Sequence, residues 1–567
     1  MTSTSAANPA EQSDKTSENA ATTPGPAFPK KMLIFTAIVL STVVATFFFL
    51  SELDDATGIG LDVVMVASMF LSALLVLTWV IWFLFLSRWE WPSRLMSATL
   101  TIGLPLLFLY LFRPVLGGDV NFIGFRPIWA SEPEAPSADV AVKAVAVDLI
   151  TETANDFAQF LGPNQNQKIT LEAEIDRANF ASAKLLWKQP IGTGWSGFVA
   201  RNGFAVTMEQ REEQECVTCY EIETGTLKWI YSHHARHRDQ MNLGRVGPRS
   251  TPTIHQGKVY AIGAVGNFVC LDGSDGTVVW QIDLNKLLNI EINSATDDDG
   301  MLIQYESNSA LSWGRSGSPL IVGDTVVIPG GGPSKGDIRT LLAFDLLTGE
   351  QRWAGGTEMI AYGSPTLAKV AGVEQILMVA ETQAMGFDPT NGNVLWNFKR
   401  PGETNGGANT SQLTVVSDNE VMTTKGYLDG GAELIRLENT DGKLTPSPVW
   451  KNDISMRTKL TSPVIFNGHA YALSNGFLDC VRLSDGKRIW KHRGRFGHGQ
   501  ILLVNDLLLL HSETGTLHLM EISEDGYEDL GSVETVTGTC WNTICVFADK
   551  VLVRSDIEAA CVQLPVK

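Results

Sequence analysis

Basic side chains are the scarcer charge in this sequence. Its 567 residues include 43 Lys and Arg against 62 Asp and Glu, which gives a formal net charge of −19. Proteins that bind nucleic acid cluster Lys and Arg on one face, and the sequence has no such basic stripe. The composition therefore argues against a nucleic-acid partner, and the acidic surface mainly favours solubility.

The seven cysteines form neither a haem-attachment motif nor a zinc ribbon. The single CxxC spacing, Cys216 to Cys219, lacks a following His, and no second CxxC occurs. On a strand these two side chains would point to opposite faces. One position of a repeated pattern is filled only by small residues, which predicts buried structural thiols there: Cys219, Cys270, Cys480 and Cys561, with Ala343 and Gly386 in the same position. The roles of Cys540 and Cys545 stay open.

Two polar segments resemble metal sites only superficially. His233, His234 and His237 alternate with Arg and Asp residues, a composition more typical of a polar surface segment than of a ligand set. The run Asp297–Gly300 lacks the alternate spacing and the later bidentate Glu of a calcium loop. The sequence therefore predicts no metal site at either segment.

Charged residues are also absent from three long apolar runs near the N-terminus. These runs, at about residues 32–50, 63–87 and 95–112, contain no Asp, Glu, Lys, Arg or His and are long enough to cross a membrane. Residues 1–31 are rich in Ser, Thr, Ala and Pro, which predicts a disordered tail. We therefore expect three transmembrane helices that act as an anchor, since polar groups for ion transport are missing.

The distribution of basic residues between the runs predicts their orientation. Lys30 and Lys31 precede the first run, the loop at 51–62 is acidic, and Arg88 and Arg94 separate the second run from the third. Because cytoplasmic loops are enriched in Lys and Arg, the tail is predicted to be cytoplasmic. The rest of the chain, a linker at 113–155 and a domain at 156–567, is then extracytoplasmic, in the periplasm.

The domain consists of repeats marked by a turn followed by tryptophan. The stretch Ser250–Trp280 contains four short β-type runs separated by glycine turns, the pattern of a four-stranded antiparallel meander. The turn recurs before Trp at intervals near the ~40–50 residues of a propeller blade. The tryptophans so placed are Trp229, Trp280, Trp353, Trp396, Trp490 and, after a looser turn, Trp450.

The two ends of the domain complement each other. The last unit, Thr539–Leu564, lacks a closing turn and Trp, whereas Lys184–Gln189 has a Trp and no unit of its own. If the first strand completes the last unit, the circle closes and no sheet edge remains exposed at the junction. The predicted fold is an all-β propeller of eight four-stranded antiparallel blades, preceded by three transmembrane α-helices.

Propeller geometry predicts a funnel at one end of the central channel. The loops before the innermost strands and the loops between second and third strands meet at that end, and they carry aromatic, amide and cationic side chains suited to a planar or anionic ligand. The alternative is that these side chains only fill a closed channel. The candidate ligand-binding residues are Trp195, Glu209, Gln210, Arg211, Arg249, Arg315, Tyr362, Asn409, Lys459, Arg495, His498 and Trp541.

The blade motif resembles a known family. The segment Ala343–Trp353 resembles the tryptophan-docking repeat of quinoprotein-type propellers, and the chain from about Asp156 to Pro565 looks like the PQQ-binding-like β-propeller repeat proteins. Especially similar stretches are Gly192–Phe198, Gly247–Ile254, Gly494–Gln500 and Ile557–Pro565. The family includes PQQ- and calcium-dependent dehydrogenases and a lipoprotein scaffold of outer-membrane β-barrel assembly.

The resemblance implies a role for some funnel residues if PQQ with calcium is bound. Trp195 or Trp541 would stack on the quinone, and Glu209 is the one candidate general base in the funnel. The candidates for holding the quinone carboxylates are Arg249, Arg315, Lys459 and Arg495. The sequence departs from the dehydrogenases because it has no adjacent Cys-Cys pair and no matching Glu, Asn and Asp set.

Two functions remain as hypotheses. The favoured one is a non-catalytic, membrane-anchored propeller that presents its rim to protein or other cell-envelope partners. The alternative is a membrane-tethered, PQQ-dependent oxidoreductase. Whether the insertion at 281–311 covers the funnel is left open by the sequence.

Overall fold

The N-terminal part of the chain and the propeller form separate units. The computed structural model describes residues 29–57, 61–117, 122–130, 135–140, 147–239 and 243–567. One unit contains the described residues up to Phe48 together with Val66–Arg113, and the other contains Phe49–Met65 and Pro114–Lys567. Most of the predicted disordered tail lies outside the described residues.

The first unit is helical and apolar. Helix α1 spans Lys30–Phe48, α3 spans Leu61–Ile81 and continues through a π-helical turn at Trp82–Leu86, and α4 spans Trp91–Leu111. Three segments, Lys30–Phe48, Val63–Leu86 and Trp91–Leu111, are long and apolar enough to cross a membrane. Their large apolar side chains are mostly exposed, as expected for surfaces that face lipid. The three predicted apolar helices are thus confirmed. A short acidic helix, α2 (Leu50–Thr57), follows α1 and belongs to the second unit.

The second unit is an eight-bladed propeller of four-stranded antiparallel blades, as predicted. We number the blades 1 to 8 along the chain and name their strands a to d in the order in which they pair. The strands are Val199–Arg201, Phe204–Arg211, Gln214–Glu221 and Leu227–His234 in blade 1; Thr253–His255, Lys258–Ile262, Asn267–Asp272 and Val278–Asp283 in blade 2; Leu320–Val322, Thr325–Gly331, Arg339–Asp345 and Gln351–Gly355 in blade 3; Thr366–Val370, Val373–Val379, Gln383–Phe387 and Val394–Lys399 in blade 4.

The second half of the circle repeats this plan. Its strands are Thr414–Ser417, Glu420–Lys425, Gly431–Thr440 and Lys443–Asn452 in blade 5; Val464–Phe466, His469–Ser474, Phe477–Arg482 and Arg488–Arg495 in blade 6; Gln500–Val504, Leu507–His511, Thr516–Ile522 and Tyr527–Glu534 in blade 7; Cys545–Phe547, Lys550–Arg554, Glu558–Gln563 and the early strand Lys184–Pro190 in blade 8.

The propeller closes with a strand from the beginning of the domain. Lys184–Pro190 pairs antiparallel with Glu558–Gln563, and Trp187 lies opposite Cys561. This is the closure that the sequence predicts. A feature beyond the prediction is the short strand Lys168–Ile169, which adds to blade 7 parallel to Gln500–Val504. The N-terminal part of the domain therefore contacts two neighbouring blades.

The repeated tryptophan joins each blade to the next. Trp229 on strand d of blade 1 is buried and donates its Nε1–H to the carbonyl of Gly273 in blade 2, at 2.9 Å. Its ring lies against Gly276, whose φ is +77° and where a Cβ would come within 2.7 Å of the indole. Directly opposite Trp229, Cys219 occupies the small-residue position. The turn glycine and the small residue are both required because the indole fills the adjacent space.

The same contact recurs around most of the circle. The tryptophan and turn-glycine pairs that meet in this way are Trp187 with Gly225, Trp229 with Gly276, Trp280 with Gly349, Trp353 with Gly392, and Trp450 with Gly486. Blade 5 departs from it because its two outer strands are ten residues long and carry the turn at Gly442 away from the neighbouring blade. The indole of Trp396 instead bonds Gln375 of its own blade at 2.5 Å.

We expect Trp229→Ala to lower the free energy of unfolding by about 3–5 kcal/mol, because it removes a buried aromatic ring and leaves a cavity between two blades. Denaturant unfolding of the detergent-solubilised protein measures the change. Leu347→Ala, which truncates a 72% exposed side chain on a blade-3 turn, is the control and should change stability by less than about 0.5 kcal/mol. Equal effects of the two substitutions would contradict the docking role.

All seven cysteines are buried and none forms a disulfide. The predicted packing position is therefore confirmed, and Cys540 and Cys545, left open above, are buried as well. Burial raises the pKa of Cys216 and Cys270 to about 12, so the thiolate form is scarce at neutral pH. These thiols act as small apolar side chains.

We predict that the folded protein does not react with a maleimide at pH 7.5, whereas the unfolded protein takes up seven equivalents. The reason is that both solvent access and thiolate formation are suppressed by burial. Mass spectrometry after timed labelling counts the adducts. Fast labelling of one thiol in the native state would show that its site opens readily.

The insertion between blades 2 and 3 packs beside blade 1. It contains the short helix α5 (Leu284–Leu288) and a hairpin of Ile292–Thr296 with Leu302–Glu306. Asp297 in its turn accepts from Arg236 Nη1 at 2.8 Å and from two backbone amides of its own turn, which gives this acidic run a structural role.

The histidine segment is only partly on the surface. His234 is exposed, as predicted, but His237 is buried and its Nδ1 lies 3.1 Å from the carbonyl of Gln304 in the inserted hairpin. The sequence pattern did not show that an insertion would cover this residue. The packed part of the chain also begins earlier than residue 156, since Val147 and Leu149 are buried between blades 1 and 2.

Candidate ligand-binding cavity on the propeller axis

A series of hydrogen bonds between neighbouring blades sets the positions of the loops around the axis. In each bond a backbone N–H just before or within strand a donates to a side-chain oxygen of the next blade. The pairs are Gly197 to Thr251, Thr251 to Ser318, Ser318 to Ser364, Ser364 to Gln412, and Gln412 to Ser462, at 2.7–3.1 Å. Because every blade from 1 to 6 takes part, the loops before the innermost strands face the channel in a fixed arrangement.

These loops enclose a cavity of about 610 Å³ on the axis. Its size is within the range of small-molecule sites. Six of the twelve predicted residues line it: Trp195, Arg249, Tyr362, Lys459, His498 and Trp541. Within the described chain, the lining includes no residue of the inserted hairpin, so the hairpin does not form the wall of this cavity.

Aromatic rings form part of the cavity wall. The rings of Trp195 and Trp541 are 4.3 Å apart between centroids and inclined by 32°. The indole N–H of Trp195 donates to Gly244 O at 2.7 Å, and that of Trp541 donates to Glu513 Oε1 at 2.8 Å. Since both polar edges are already bonded within the protein, the two rings present apolar surface to the cavity.

Arg249 lines the cavity, but its N–H groups are already bonded to backbone carbonyls of the protein. Its guanidinium donates to the carbonyls of Trp313 at 2.6 Å, Gly244 at 3.0 Å and Arg245 at 3.1 Å, and also to that of Gly247. Burial lowers its pKa to about 10, which leaves it charged at neutral pH. Arg249 therefore fixes the loops at 243–249 and contributes positive potential rather than a free fork for a carboxylate.

Lys459 is the second cation of the cavity. Its side chain is mostly buried, and its Nζ lies 5.1 Å from the centroid of the Tyr427 ring, a cation–π distance. Tyr362 also lines the cavity, and its hydroxyl donates to Thr404 O at 2.7 Å. The cavity thus combines aromatic faces with positive charge.

Three predicted residues lie in a buried network away from the cavity. Glu209 accepts from the Tyr220 hydroxyl at 2.7 Å and from Arg211 Nη2 at 3.1 Å, and Gln210 Nε2 donates to Ala235 O at 2.8 Å. Burial would raise the pKa of Glu209, but Arg211 and Arg554 hold it below its usual range. The carboxylate is fully buried and fully engaged, so this geometry does not present it as a general base.

The other three residues also have structural partners. Arg315 donates to Glu306 Oε1 and to Gly330 O, both at 2.6 Å. The side-chain amide of Asn409 donates to three backbone carbonyls, the shortest at 2.9 Å. Arg495 donates to Asn475 O at 3.2 Å, and its Nη2 lies 3.5 Å from Nε2 of His498, a lining residue.

Several lining residues were missed by sequence reasoning. Trp313 and Tyr427 line the cavity with Phe160 and Glu403. Trp313 stands two positions before Arg315, the charged residue that the sequence pattern singled out in this segment. The segment is a loop in which Gly314 has a φ of +80°. The ring of Trp313 lines the cavity, whereas the guanidinium of Arg315 bonds Glu306 of the insertion. A preference for aromatics over charge would have found Trp313.

The residues of this cavity do not fit PQQ with calcium as the resemblance implied. Calcium takes six to eight oxygen ligands, usually including several carboxylates, and the described lining offers one carboxylate side chain, Glu403. In addition, Arg249 and Arg315 are committed to partners within the propeller, as described above. Across the described residues, His, Cys, Asp and Glu side chains nowhere group in threes to hold a metal ion.

A buried acid beside the cavity was not predicted. Glu215 accepts from Ala264 N at 2.8 Å through Oε1, while Oε2 has no hydrogen-bond partner. Burial raises its pKa to about 7, although the amide of Ala264 and the charge of Arg249 oppose the shift. A carboxyl group with a raised pKa in the folded state stabilises the fold less as the pH rises above its unfolded value.

We therefore expect the free energy of unfolding to fall between pH 4.5 and pH 8 by up to about 3 kcal/mol from this residue, and Glu215→Gln to remove that part of the decline. Denaturant unfolding at several pH values measures it. Glu528→Gln, on the exposed outer strand of blade 7, is the matched control. An unchanged pH profile in Glu215→Gln would show that Glu215 is ionised in the native state.

The fold and its turn–tryptophan repeats define a PQQ-like repeat propeller. Residues 172–492 match the family described as outer membrane protein assembly factor BamB. That match covers more than half of the chain, so the chain belongs to this family.

Individual relatives are distant. The outer membrane protein assembly factor BamB of Alkalilimnicola ehrlichii is 27% identical over 228 residues, which is 37% of this chain and 52% of the relative. The chain thus spans about half the length of that relative. Among solved structures, BamB from Moraxella catarrhalis has a TM-score of 0.44 at 13% identity, covering 67% of this chain and 98% of that one.

A second solved structure illustrates the breadth of the fold. Quinohemoprotein alcohol dehydrogenase from Comamonas testosteroni has a TM-score of 0.50 at 13% identity, covering 73% of this chain and 81% of that one. At this identity the likeness shows a common propeller fold.

Proposed function

We propose that this protein is a membrane-anchored, extracytoplasmic propeller that binds a protein partner in the cell envelope and acts as a scaffold. One observation carries the proposal: several aromatic rings, among them those of Trp195 and Trp541, line the axial cavity. The charged groups predicted for chemistry, Glu209, Arg249 and Arg315, are already bonded within the propeller. Large aromatic side chains in a concave site are what protein recognition uses as anchors.

Family membership and the helical segments support the same function. The matched family is described as an outer membrane assembly factor, which suggests a partner among proteins that assemble in the envelope. Three apolar helices, with Lys30 and Lys31 at the start of the first one, favour a cytoplasmic N-terminus and a propeller on the opposite, periplasmic side.

The alternative, a PQQ-dependent oxidoreductase, is favoured by one feature. Trp195 and Trp541 present ring faces in a cavity that also contains Lys459, and a planar anion could use both. Two findings weigh against this alternative. Arg249 and Arg315 are already bonded within the propeller, and the described lining has a single carboxylate side chain.

A photo-crosslinking experiment tests the scaffold function. A photoreactive amino acid is placed at Glu403, an exposed residue of the lining, and cross-linked envelope proteins are identified after irradiation of intact cells. We expect a discrete partner band, and we expect Trp541→Ala to reduce its yield about tenfold or more, because loss of an aromatic anchor typically costs 2 kcal/mol or more of binding. Leu347→Ala should leave the yield unchanged.

Titration of the detergent-solubilised protein with PQQ, with and without calcium, tests the alternative. Saturable quenching of tryptophan fluorescence that Lys459→Ala abolishes would establish a quinone site and contradict the scaffold proposal. Absence of binding up to about millimolar PQQ, a limit of ~4 kcal/mol, together with the partner band, would support it.

A further inference from the structure

The acidic helix α2 is seated on blade 6 of the propeller. Asp54 is only 1% exposed, and its carboxylate accepts from Asn475 Nδ2 at 2.7 Å and from Lys491 Nζ at 2.6 Å. Both partners belong to blade 6. A buried carboxylate bound by an amide and an ammonium group is a specific contact rather than a surface ion pair.

An apolar cluster surrounds this ion pair. Phe477 on strand c of blade 6 packs with residues from both ends of the segment between Phe49 and Met65, and its ring lies 4.1 Å from Lys491 Nζ. The residues that pack on it are Leu50, Leu53, Val64 and Met65. Helix α2, with Val64 and Met65, therefore buries both charge and apolar surface on one blade.

Blade 6 contains a second acid that faces the same lysine. Asp479 is fully buried and lies directly opposite Lys491 in the pairing of strands c and d. Both of its carboxyl oxygens lack a hydrogen-bond partner, and its nearest ion-pair contact is Arg488 Nη1 at 4.0 Å. Burial raises the pKa of Asp479 to about 7 against the opposing charges of Arg488 and Lys491, and Asp54 adds to the rise.

Asp54 and Asp479 differ in their contact with Lys491. With α2 in place, Asp54 makes the short contact and Asp479 makes none. Removing α2 alone would leave the buried ammonium group without Asp54, a strongly unfavourable change if no other anion took its place. Asp479 is positioned to take that place, because opposite residues of an antiparallel pair have their side chains on one face.

We propose that helix α2 (Leu50–Thr57) is a reversible latch on blade 6, in which Lys491 exchanges its partner between Asp54 when the latch is closed and Asp479 when it is open. The membrane consequence rests on the proposed anchor: α2 lies between the first two apolar spans, so its loop is on the same side of the membrane as the propeller. A latch of this kind requires two states that differ little in free energy, and a bound partner can then shift the balance between them.

Thiol labelling of the full-length protein in spheroplasts tests the latch, because the native cysteines are buried and give little background. Leu53→Cys reports on the closed contact, and Ala56→Cys, at an exposed position of α2, reports on access alone. With a membrane-impermeant maleimide added from the periplasmic side, we expect Leu53→Cys to react about tenfold more slowly than Ala56→Cys, since it reacts only when the latch opens.

Charge substitutions then separate the latch from general stability. Asp54→Lys or Lys491→Asp should raise the rate of Leu53→Cys to within about twofold of Ala56→Cys, and the double substitution should restore slow labelling. Asp479→Asn removes the alternative partner and should slow labelling further. Glu420→Lys, which breaks an exposed pair with Arg436 on blade 5, should have no effect. Continued protection of the seven native thiols confirms that each variant is folded.

The contrary results distinguish three parts of the proposal: the latch, the exchange of partners and the membrane anchor. Leu53→Cys that stays protected in Asp54→Lys, or that reacts as fast as Ala56→Cys in the unsubstituted background, overturns the latch and leaves the anchor intact. An Asp479→Asn variant that labels no more slowly overturns the exchange of partners. Labelling of Ala56→Cys only from the cytoplasmic side, or release of the protein from membranes by carbonate, overturns the proposed anchor itself.

Discussion

The contact between an outer-strand indole and the turn glycine of the next blade is the constraint on which the propeller depends. A single four-stranded blade cannot bury both of its faces, so each must pack against a neighbour. The indole of Trp229 fills the space between two blades and bonds a carbonyl of the next one. That one contact determines three features of the sequence: the glycine in the turn, the small residue opposite the indole, and the regular spacing of the repeats.

The tryptophan contacts hold the outer parts of neighbouring blades together, and hydrogen bonds between blades do the same near the axis. Backbone amides of one blade bond side chains of the next, from Gly197 to Ser462, and so hold the inner loops at fixed positions. Aromatic rings from these loops then line part of the cavity. A buried charge must be paired or hydrogen-bonded, and Arg249 in the cavity wall accordingly bonds backbone carbonyls of its own loops.

Much of the fold could be predicted from the sequence because its signals are local. The turn before Trp280 and the unpaired strand around Trp187 are short patterns, and together they indicate eight blades and the way in which the circle closes. The cavity depends instead on contacts between distant residues. Arg315 is bonded to Glu306 of the insertion, and Glu209 is bonded to Tyr220 and Arg211. Neither side chain therefore lines the cavity. Within one loop, Trp313 lines the cavity and Arg315 does not, an outcome that depends on the contact between Arg315 and Glu306.

The acidic loop at 51–62 shows how one stretch of sequence can have two physical roles. Its lack of Lys and Arg is what predicts an extracytoplasmic position, and the same acidity provides Asp54 as the partner of Lys491. An anchor alone would need only a soluble loop between two spans. A carboxylate that is 1% exposed and bound by two groups of one blade costs desolvation that a mere connection would avoid. Arg495 extends this contact inwards, because it bonds the carbonyl of Asn475 and its Nη2 lies 3.5 Å from His498 Nε2 in the cavity wall. The Asp54 contact and the cavity wall are thus joined through Asn475 and Arg495 of blade 6.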